Sequence, residues 1–332
     1  MESLVKKLLN HDLYSARNKE VFLKQTHISY VIMTDEFVYK IKKPVKFSFL
    51  DFSTLQKRKY YCEKELELNK RLSPDVYLEV IEIKEKNGTL NYGETGKTVE
   101  YCVKMKRIPE DKMMINLLHK NALHHDDIRK IAKKISDFHQ KADSNDEIAK
   151  FGTMEAIRKN INGNYEYAEK YIDKTLSKEV FLKIKQFTDD FLPEKKKLFL
   201  NRIKEQKIKD CHGDMHMQHI CLGDDIYIYD CIEFNDRFRY CDTASETAFL
   251  AMDLDFHGRS NLSNQFINDY VEFSEDTGIR ELLNFYKCYR ACVRGKVNSL
   301  ELDDHNLSLK EKEEARITAE KYFDLAMRYT GL

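Results

Sequence analysis

The chain has 332 residues, of which 56 are lysine or arginine and 56 are aspartate or glutamate, so its formal net charge is zero. With 42% hydrophobic and 34% charged residues, the composition is that of a globular protein and excludes a disordered one. The balanced charge gives no reason to expect a nucleic-acid partner, and no apolar run of about 18 residues predicts a membrane span. The eight cysteines include no C-x-x-C pair, so we expect free thiols and a cytoplasmic location.

The N-terminal part of the chain shows a pattern of short strands around one helix. Residues 21–43 predict three strands, because apolar runs with period-two alternation are separated by turn signals. A helix is predicted over 53–72, because Pro74 prevents it from continuing further. Strand-like segments then resume until Pro109. These patterns predict an N-terminal lobe over 1–108, built from a mixed sheet and one prominent helix.

Beyond Pro109 the apolar residues change to a helical period. The segment "DDIRKIAKKISDFHQKA" places its isoleucines on one helical stripe, and helical patterns also cover about 154–206 and most of the chain after residue 242. The sequence therefore predicts a large helical C-terminal lobe over 109–332 and, for the whole chain, an α+β fold of two lobes.

Residues 209–234, "KDCHGDMHMQHICLGDDIYIYDCIEF", interrupt the helical half with strand-like runs and a cluster of ionisable side chains. Two apolar runs separated by Gly-Asp-Asp predict a β-hairpin. If residues 224–225 form a two-residue turn, His219 lies directly opposite Asp230, where Cβ atoms are about 4.5–5.5 Å apart. The hairpin would then bring both side chains together with Asp214, which lies in the preceding loop.

These three side chains suit a phosphoryl-transfer site. One carboxylate would orient the attacking hydroxyl and accept its proton, and a second would hold the Mg²⁺ that bridges the nucleotide phosphates. Two alternatives are a buried polar turn without catalysis and a zinc site formed by His212, His216 and His219 on a continuous helix. Gly213 and the strand that follows argue against such a helix, and the glutamate of an H-E-x-x-H motif is missing.

The stretch "HGDMHMQHI" resembles the H-G-D-x-H-x-x-N catalytic loop of the aminoglycoside phosphotransferase and choline kinase group, which has a protein-kinase-like fold. "YDCIEFNDRFRYCDTASETAFLAMDL" is similar to the segment that follows there, with a metal-binding aspartate at Asp230 and a helix-opening aspartate at Asp242. "THISYV", "YKIKKPVKFSFLDFSTLQKR" and "DCIEFNDRFRY" resemble an uncharacterised bacterial branch, some of whose members carry an extra C-terminal P-loop kinase domain. The resemblance covers about residues 20–300, and the 332 residues contain no G-x-x-x-x-G-K-[ST] motif.

The resemblance implies an ATP-dependent phosphotransferase with a small N-lobe sheet plus one helix, a mainly helical C-lobe and a nucleotide cleft at the lobe junction. It implies ATP and Mg²⁺ or Mn²⁺ as cofactors and a hydroxyl of an unidentified small molecule as acceptor. Asp214 would be the catalytic base, and Asp230 with His219 would hold the metal. Val38 would cover the nucleotide base, and backbone groups of Met105–Ile108 would meet the adenine.

In such proteins a strand lysine contacts the α- and β-phosphates and is held by a helix glutamate. Alternation in "FVYKIKK" puts Lys40 and Lys42 on one face of a strand, with Lys40 the first choice for the phosphates and Lys42 the reserve. The expected partner is Glu65 on the 53–72 helix, and Glu63 and Glu67 are alternatives.

Two features depart from the family pattern. No G-x-G-x-x-G separates the first strands, only "QTHIS", so Thr26 and Ser29 are the candidates for contacting phosphate. His219 stands where the family has Asn, and its nitrogen suits Mn²⁺ or Zn²⁺ better than Mg²⁺, so the neighbouring Gln218 is an alternative amide ligand. A catalytically weakened nucleotide-binding or regulatory protein of the same fold is therefore the second hypothesis, and a nucleotidyl-transferring variant is the third.

Three further side chains belong to predicted helices. His139 matches a histidine that is common on the corresponding family helix, and we expect it to be structural. Arg290 and Arg294 are one turn apart, so they either line a substrate pocket or form surface salt bridges.

Overall fold

The computed structural model describes residues 2–10, 13–14, 20–93, 95–305 and 307–331. Its helices are α1 (Glu2–Leu8), α2 (Leu55–Lys70), α3 (Met114–His119), α4 (His125–Lys141), α5 (Asp146–Ala149), α6 (Met154–Ala168), α7 (Lys178–Glu194), α8 (Lys196–Lys204), α9 (Asp236–Arg239), α10 (Thr243–Phe256), α11 (Ser260–Ser274), α12 (Ile279–Leu300) and α13 (Leu309–Tyr329). Its strands are β1 (Phe22–Gln25), β2 (Ser29–Met33), β3 (Phe37–Lys42), β4 (Lys46–Phe47), β5 (Leu50–Asp51), β6 (Tyr77–Lys86), β7 (Thr89–Tyr92), β8 (Lys97–Lys106), β9 (Ile208–Asp210), β10 (Ile220–Leu222), β11 (Ile226–Ile228) and β12 (Tyr240–Asp242).

The chain divides into two compact units. The first consists of Met1–Ala122 and Gln218–Arg239, and the second of Leu123–Met217 and Tyr240–Leu332. The hairpin β10–β11 thus packs with the N-terminal residues, although the sequence suggested that it belongs with the helical half. The domain boundary predicted after residue 108 stays a prediction.

The first unit contains a six-stranded antiparallel sheet in the order β1-β2-β3-β8-β6-β7. The three strands predicted within 21–43 are confirmed as β1, β2 and β3. The predicted helix is α2, but its N-cap is Thr54, whose hydroxyl accepts from the amide of Lys57 at 3.2 Å. Ser53, which the sequence suggested as the start, instead donates to Asp51 at 2.6 Å. The helix therefore begins slightly later than expected.

Alternation along β3 sends its residues to two separate apolar clusters. Tyr39 and Ile41 pack in a cluster with residues of β2 and β7. Val38 packs on the other side, with Met105 of β8 and Cys62 of α2. Because side chains two residues apart share a face, Val38 shares its side of the sheet with the two lysines of β3.

The second unit is mainly helical. The isoleucines of α4 that the sequence placed on one stripe are fully buried, as predicted. The short strands β9 and β12 pair antiparallel, and the loop that carries Asp214 follows β9 directly. No described helix is both long and apolar enough to cross a lipid bilayer. The sheet of the first unit is antiparallel throughout, so the prediction of a mixed sheet was wrong, but this sheet and the helices of the second unit give the predicted α+β class.

Candidate active site

In the first unit, the two lysines of β3 share one glutamate of α2. The Nζ atom of Lys40 lies 2.8 Å from Oε1 of Glu65, and that of Lys42 lies 2.7 Å from Oε2. The alternatives Glu63 and Glu67 are exposed and pair with lysines of their own helix. The geometry therefore selects Glu65 as the glutamate that faces the strand lysines, while its role in nucleotide binding stays a prediction.

The two lysines differ in what else they touch. Lys40 is 14% exposed and contacts Oδ1 of Asp230 at 2.5 Å, whereas Lys42 is fully buried and pairs with Glu233. Burial lowers the pKa of Lys40, but Asp230 and Glu65 outweigh that effect and raise it well above its usual value. Lys40 thus keeps its positive charge beside the predicted metal-binding aspartate, and the structure favours it over Lys42 for a role at the solvent boundary.

Glu233 is a residue that the sequence analysis missed. It is buried and lies three positions after Asp230. Burial raises the pKa of its carboxyl, although Lys42 acts in the opposite direction. The pair of lysines on one strand face could have indicated a second buried acidic residue, because a single glutamate cannot fully compensate two buried cations.

The register of the β10–β11 hairpin differs from the prediction by one residue. Leu222 pairs with Ile226, so the loop has three residues, and His219 lies opposite Tyr229 rather than Asp230. The amide of Tyr229 donates to the carbonyl of His219 at 3.0 Å. A two-residue turn of the favoured type needs a positive φ at its central residues. None of the described residues 223–225 has one.

Asp230 nevertheless approaches His219 through an unusual backbone conformation. Its φ is +64°, and its amide donates to the hydroxyl of Tyr77 at 3.1 Å. The next amide, that of Cys231, donates to Oδ1 of Asn69 on α2 at 2.9 Å. With the backbone held in this way, Oδ2 of Asp230 lies 3.6 Å from Nε2 of His219. A carboxylate and an imidazole so close together fit a divalent cation, and Gln218 next to them is exposed.

Residues predicted to surround the nucleotide base share one apolar cluster in the first unit. Val38 pairs with Met105 across β3 and β8, and Ile108 packs against the same cluster. The amide of Lys106 donates to the carbonyl of Val76, and that of Arg107 to the carbonyl of Glu36, each at 2.8 Å. These two N–H groups are therefore occupied within the Met105–Ile108 stretch.

The turn between β1 and β2 also uses its polar groups internally. The Thr26 hydroxyl accepts from the amides of Ile28 and Ser29, at 3.3 and 3.0 Å. The Ser29 hydroxyl oxygen is buried. Phosphate contact by Thr26 or Ser29 would require this turn to rearrange.

In the second unit, the loop that carries Asp214 is fastened by buried groups. The amides of His212 and Gly213 donate to Glu246 at 2.8 and 2.6 Å, and Glu246 also lies 2.8 Å from Nε2 of His139. His139 is thus structural in position, as expected. The chain from 212 to 216 is not helical, so the continuous helix required by the zinc interpretation does not form.

Asp214 itself is partly exposed in the middle of this loop. Its amide donates to Nδ1 of His212 at 3.2 Å, and Oδ2 lies 3.6 Å from Nε2 of buried His216. Arg290 on α12 donates to the carbonyl of Gly213 at 3.1 Å. It is therefore a buried support of the loop rather than part of a surface salt bridge, and a place in the wall of a substrate pocket stays a prediction. The remaining helix-opening aspartate, Asp242, caps α10.

Comparisons with known sequences give relatives of unassigned activity. No protein-family model matches the sequence. The chain is 33% identical over 276 residues to the uncharacterized proteins Rv2004c of Mycobacterium tuberculosis and Mb2027c of Mycobacterium bovis. Each alignment covers 83% of this chain and 54% of the relative, so the chain spans about half the length of the curated relatives it matches.

Solved structures similar to the chain include small-molecule kinases and a protein of the choline/ethanolamine kinase family. A choline/ethanolamine kinase family protein from Mesorhizobium loti has a TM-score of 0.52 at 11% identity, covering 99% of this chain and 98% of that one. The microcompartment-associated aminopropanol kinase has a TM-score of 0.51 at 12% identity, with coverages of 99% and 97%. The amicoumacin kinase hAmiN, in complex with AMP-PNP, Ca²⁺ and Ami, has a TM-score of 0.51 at 11% identity, with coverages of 97% and 93%. The chain therefore has the kinase-like fold of these proteins, which confirms the predicted resemblance at the level of fold.

Proposed function

We propose that this protein is an ATP-dependent phosphotransferase that transfers a phosphoryl group to a hydroxyl of a small molecule. The observation that carries the proposal is the chain of contacts from Glu65 through Lys40 to Asp230. Phosphoryl transfer depends mainly on positioned charges around the phosphates, which is what this arrangement supplies. The small-molecule kinases that share the fold support the same class of reaction.

Each residue of the first unit has a distinct part in this proposal. Glu65 holds the ammonium group of Lys40, which would bind the α- and β-phosphates of ATP. Asp230 and His219 would hold Mg²⁺ or Mn²⁺, which would neutralise charge on the phosphates. The apolar cluster around Val38 would cover the nucleotide base.

Asp214 of the second unit would act as the general base. Glu246 and Arg290 fix the loop on both sides of Gly213. The Asp214 carboxylate would orient the acceptor hydroxyl and accept its proton as the bond to phosphorus forms. Preorganisation of this kind lowers the barrier because no loop ordering is required at the moment of transfer.

A second candidate function is nucleotide binding with weak or absent turnover. Two observations favour it: imidazole replaces the expected amide at position 219, and Lys40 contacts Asp230 directly. In that interpretation the lysine compensates the charge of the aspartate and a metal has to compete with it. Turnover measurements separate the two functions, as described for Asp214 below.

Nucleotide binding is tested by thermal unfolding with ATP and Mg²⁺ or Mn²⁺. Ligand at about 100 times its Kd stabilises a protein by about 2.7 kcal/mol, so the wild type should melt several degrees higher. Lys40→Ala and Asp230→Ala should each abolish the shift. Lys104→Ala, which removes a β8 lysine paired with Glu79, should retain it. A wild type that shows no shift at millimolar ATP with either metal would contradict both candidate functions.

A further inference from the structure

Arg294 on α12 has an unused hydrogen-bonding group. Its Nε atom is buried and lacks a hydrogen-bond partner among the described residues. The guanidinium carbon lies 5.7 Å from the ring centroid of Tyr322, and no carboxylate of the described chain lies within ion-pair distance of it. A buried donor left unpaired costs about 1–3 kcal/mol. A bound group that accepts hydrogen bonds from Arg294 would remove this cost.

The second unit holds Arg294 close to the loop of Asp214. Arg290, one helical turn earlier on α12, donates to the carbonyls of Gly213 and Ser245. At the far end of the same loop, the amide of Met217 donates to Asp253 at 2.9 Å. The hydroxyl of Tyr322, whose ring faces Arg294, lies 3.5 Å from the same Asp253 carboxylate. Both ends of the Asp214 loop are therefore tied to the surroundings of Arg294.

The electrostatics of Arg294 agree with this placement. Burial lowers its pKa, but Tyr322, Asp214 and Asp253 outweigh the effect and raise it. Asp214 and Asp253 act on Arg294 without forming an ion pair with it. The guanidinium therefore remains charged, and its unpartnered Nε–H group keeps hydrogen-bonding capacity for a ligand.

We propose that Arg294 binds an oxyanion group of the acceptor, a carboxylate or a phosphate, while the acceptor hydroxyl meets Asp214. This inference rests on the proposed phosphotransferase function and specifies the class of its substrate. The planar guanidinium fork matches carboxylate and phosphate oxygens. An acceptor that carries an amine at this position would meet a like charge, so the site selects hydroxy acids and hydroxylated phosphate esters over amino alcohols.

The test compares acceptors that share a three-carbon skeleton and differ in charge. D-Glycerate and glycerol 3-phosphate are the anionic probes, glycerol the neutral one and 3-amino-1,2-propanediol the cationic one. Calorimetry measures their binding to the wild type with AMP-PNP and Mg²⁺, and ADP release measures their turnover with ATP. We expect an anionic probe to bind best.

Variants then assign the binding to Arg294. Arg294→Gln should raise the Kd of the anionic probe by at least about tenfold, the amount expected from charge-assisted hydrogen bonds. The Kd of glycerol should stay unchanged. Arg294→Lys should keep part of the affinity for the anionic probe, because lysine keeps the positive charge. It should lose the rest, because lysine lacks the planar N–H donors of the guanidinium group. Arg316→Gln is the control, since Arg316 lies on α13 and pairs with Glu313 and Glu320.

Three results would overturn the inference: wild type that binds the amine best, wild type that binds no anionic probe at millimolar concentration, or Arg294→Gln that binds the anionic probe as well as wild type does. The first two need no variant, so they decide the question even if the substitutions disturb folding. If the wild type binds an anionic probe through Arg294 but phosphorylates no probe, the inference about anion binding is supported and the proposed phosphotransferase activity is contradicted. If it phosphorylates only the amine, the catalysis stands and the substrate class is wrong.

Discussion

The lysines of β3 show what a single residue's position in a strand can and cannot predict. Alternation placed Lys40 and Lys42 on one face, and both indeed reach Glu65. Alternation could not tell which of the two is buried, because that depends on Glu233, which lies 191 residues after Lys42. The function of a residue on a predicted face is thus decided by partners that local sequence does not identify.

Asp214 offers the most direct test of catalysis at this scale. Asp214→Asn keeps the volume of the side chain but removes its capacity to accept a proton. Turnover should fall by about a hundredfold or more, while the Kd for ATP stays near that of wild type, because a general base acts mainly in the transition state. Steady-state kinetics and calorimetry check the two quantities.

The control for Asp214 is Asp224→Asn, which makes the same change in the exposed hairpin loop and should leave turnover unchanged. Loss of ATP binding in Asp214→Asn together with full turnover in Asp230→Asn would reverse the two roles. If the wild type binds ATP but does not turn it over with any acceptor tested, the second candidate function is favoured.

His219 is the residue at which the chain departs from the family pattern. Only a neutral imidazole can bind a cation, so metal-dependent activity should decrease as the pH is lowered into the range where histidine becomes protonated. His219→Asn supplies an oxygen ligand, which is better matched to Mg²⁺. We expect this variant to keep or increase turnover with Mg²⁺, to lose any preference for Mn²⁺ and to show a flatter acid limb in its pH profile.

The contrary outcome for His219 is also informative. If His219→Asn binds ATP but loses turnover with both metals, the imidazole has a role that an amide cannot fill. His119→Asn, a change on α3 rather than on the hairpin, is the matched control and should leave the pH profile unchanged.

At the scale of elements, the β10–β11 hairpin was predictable and its register was not. Two apolar runs around Gly-Asp-Asp are a sufficient signal for the hairpin, but the loop length depends on backbone angles that aspartate and glycine can adopt in several ways. The register in the structure differs by one residue from the predicted one, so Asp230 is not paired with His219 across the hairpin. Asp230 still lies close to His219, because the amides of Asp230 and Cys231 donate to Tyr77 and to Asn69 on α2.

Glu246 connects α10 to the Asp214 loop and predicts how stability depends on pH. Burial opposes ionisation, but the hydrogen bond and charge of His139, with the amide of Gly213, lower the pKa of Glu246 to about 2. A carboxyl whose pKa is depressed in the folded state stabilises the fold above its unfolded pKa and loses that contribution as the pH falls toward the folded value. Glu246→Gln should therefore lower the free energy of unfolding at pH 7 by on the order of 2–3 kcal/mol.

Urea unfolding at pH 7 and pH 3 measures this contribution. The difference between wild type and Glu246→Gln should be largest at pH 7 and smaller at pH 3. Glu166→Gln changes an exposed glutamate of α6 in the same unit, and should have little effect at either pH. A wild type and a Glu246→Gln variant of equal stability at pH 7 would mean that the carboxylate does not hold the loop.

For the whole molecule, the change of period after Pro109 was enough to predict a strand-rich first part and a helical second part. The sequence did not indicate that Gln218–Arg239 returns to the first unit. That return depends on contacts between distant residues, such as the hydrogen bond from Ser73 to the carbonyl of Ile228. Periodicity describes which face of an element is buried and contains no information about which distant segment covers it.

The charge of the whole molecule gives a prediction about partners. An overall excess of lysine and arginine favours binding to the phosphates of a nucleic acid, and the chain has no such excess, with 56 basic and 56 acidic side chains. We therefore expect no binding to a labelled DNA duplex in fluorescence anisotropy at about 50 mM salt, at protein concentrations up to about 10 µM, where non-specific binders with Kd values near 10⁻⁶ M would already be visible. Low salt is the more demanding condition, because phosphate contacts strengthen steeply as salt is removed. Binding that weakens as the salt is raised to about 200 mM would contradict the prediction and direct the search for the acceptor toward nucleic acids rather than small hydroxyl compounds.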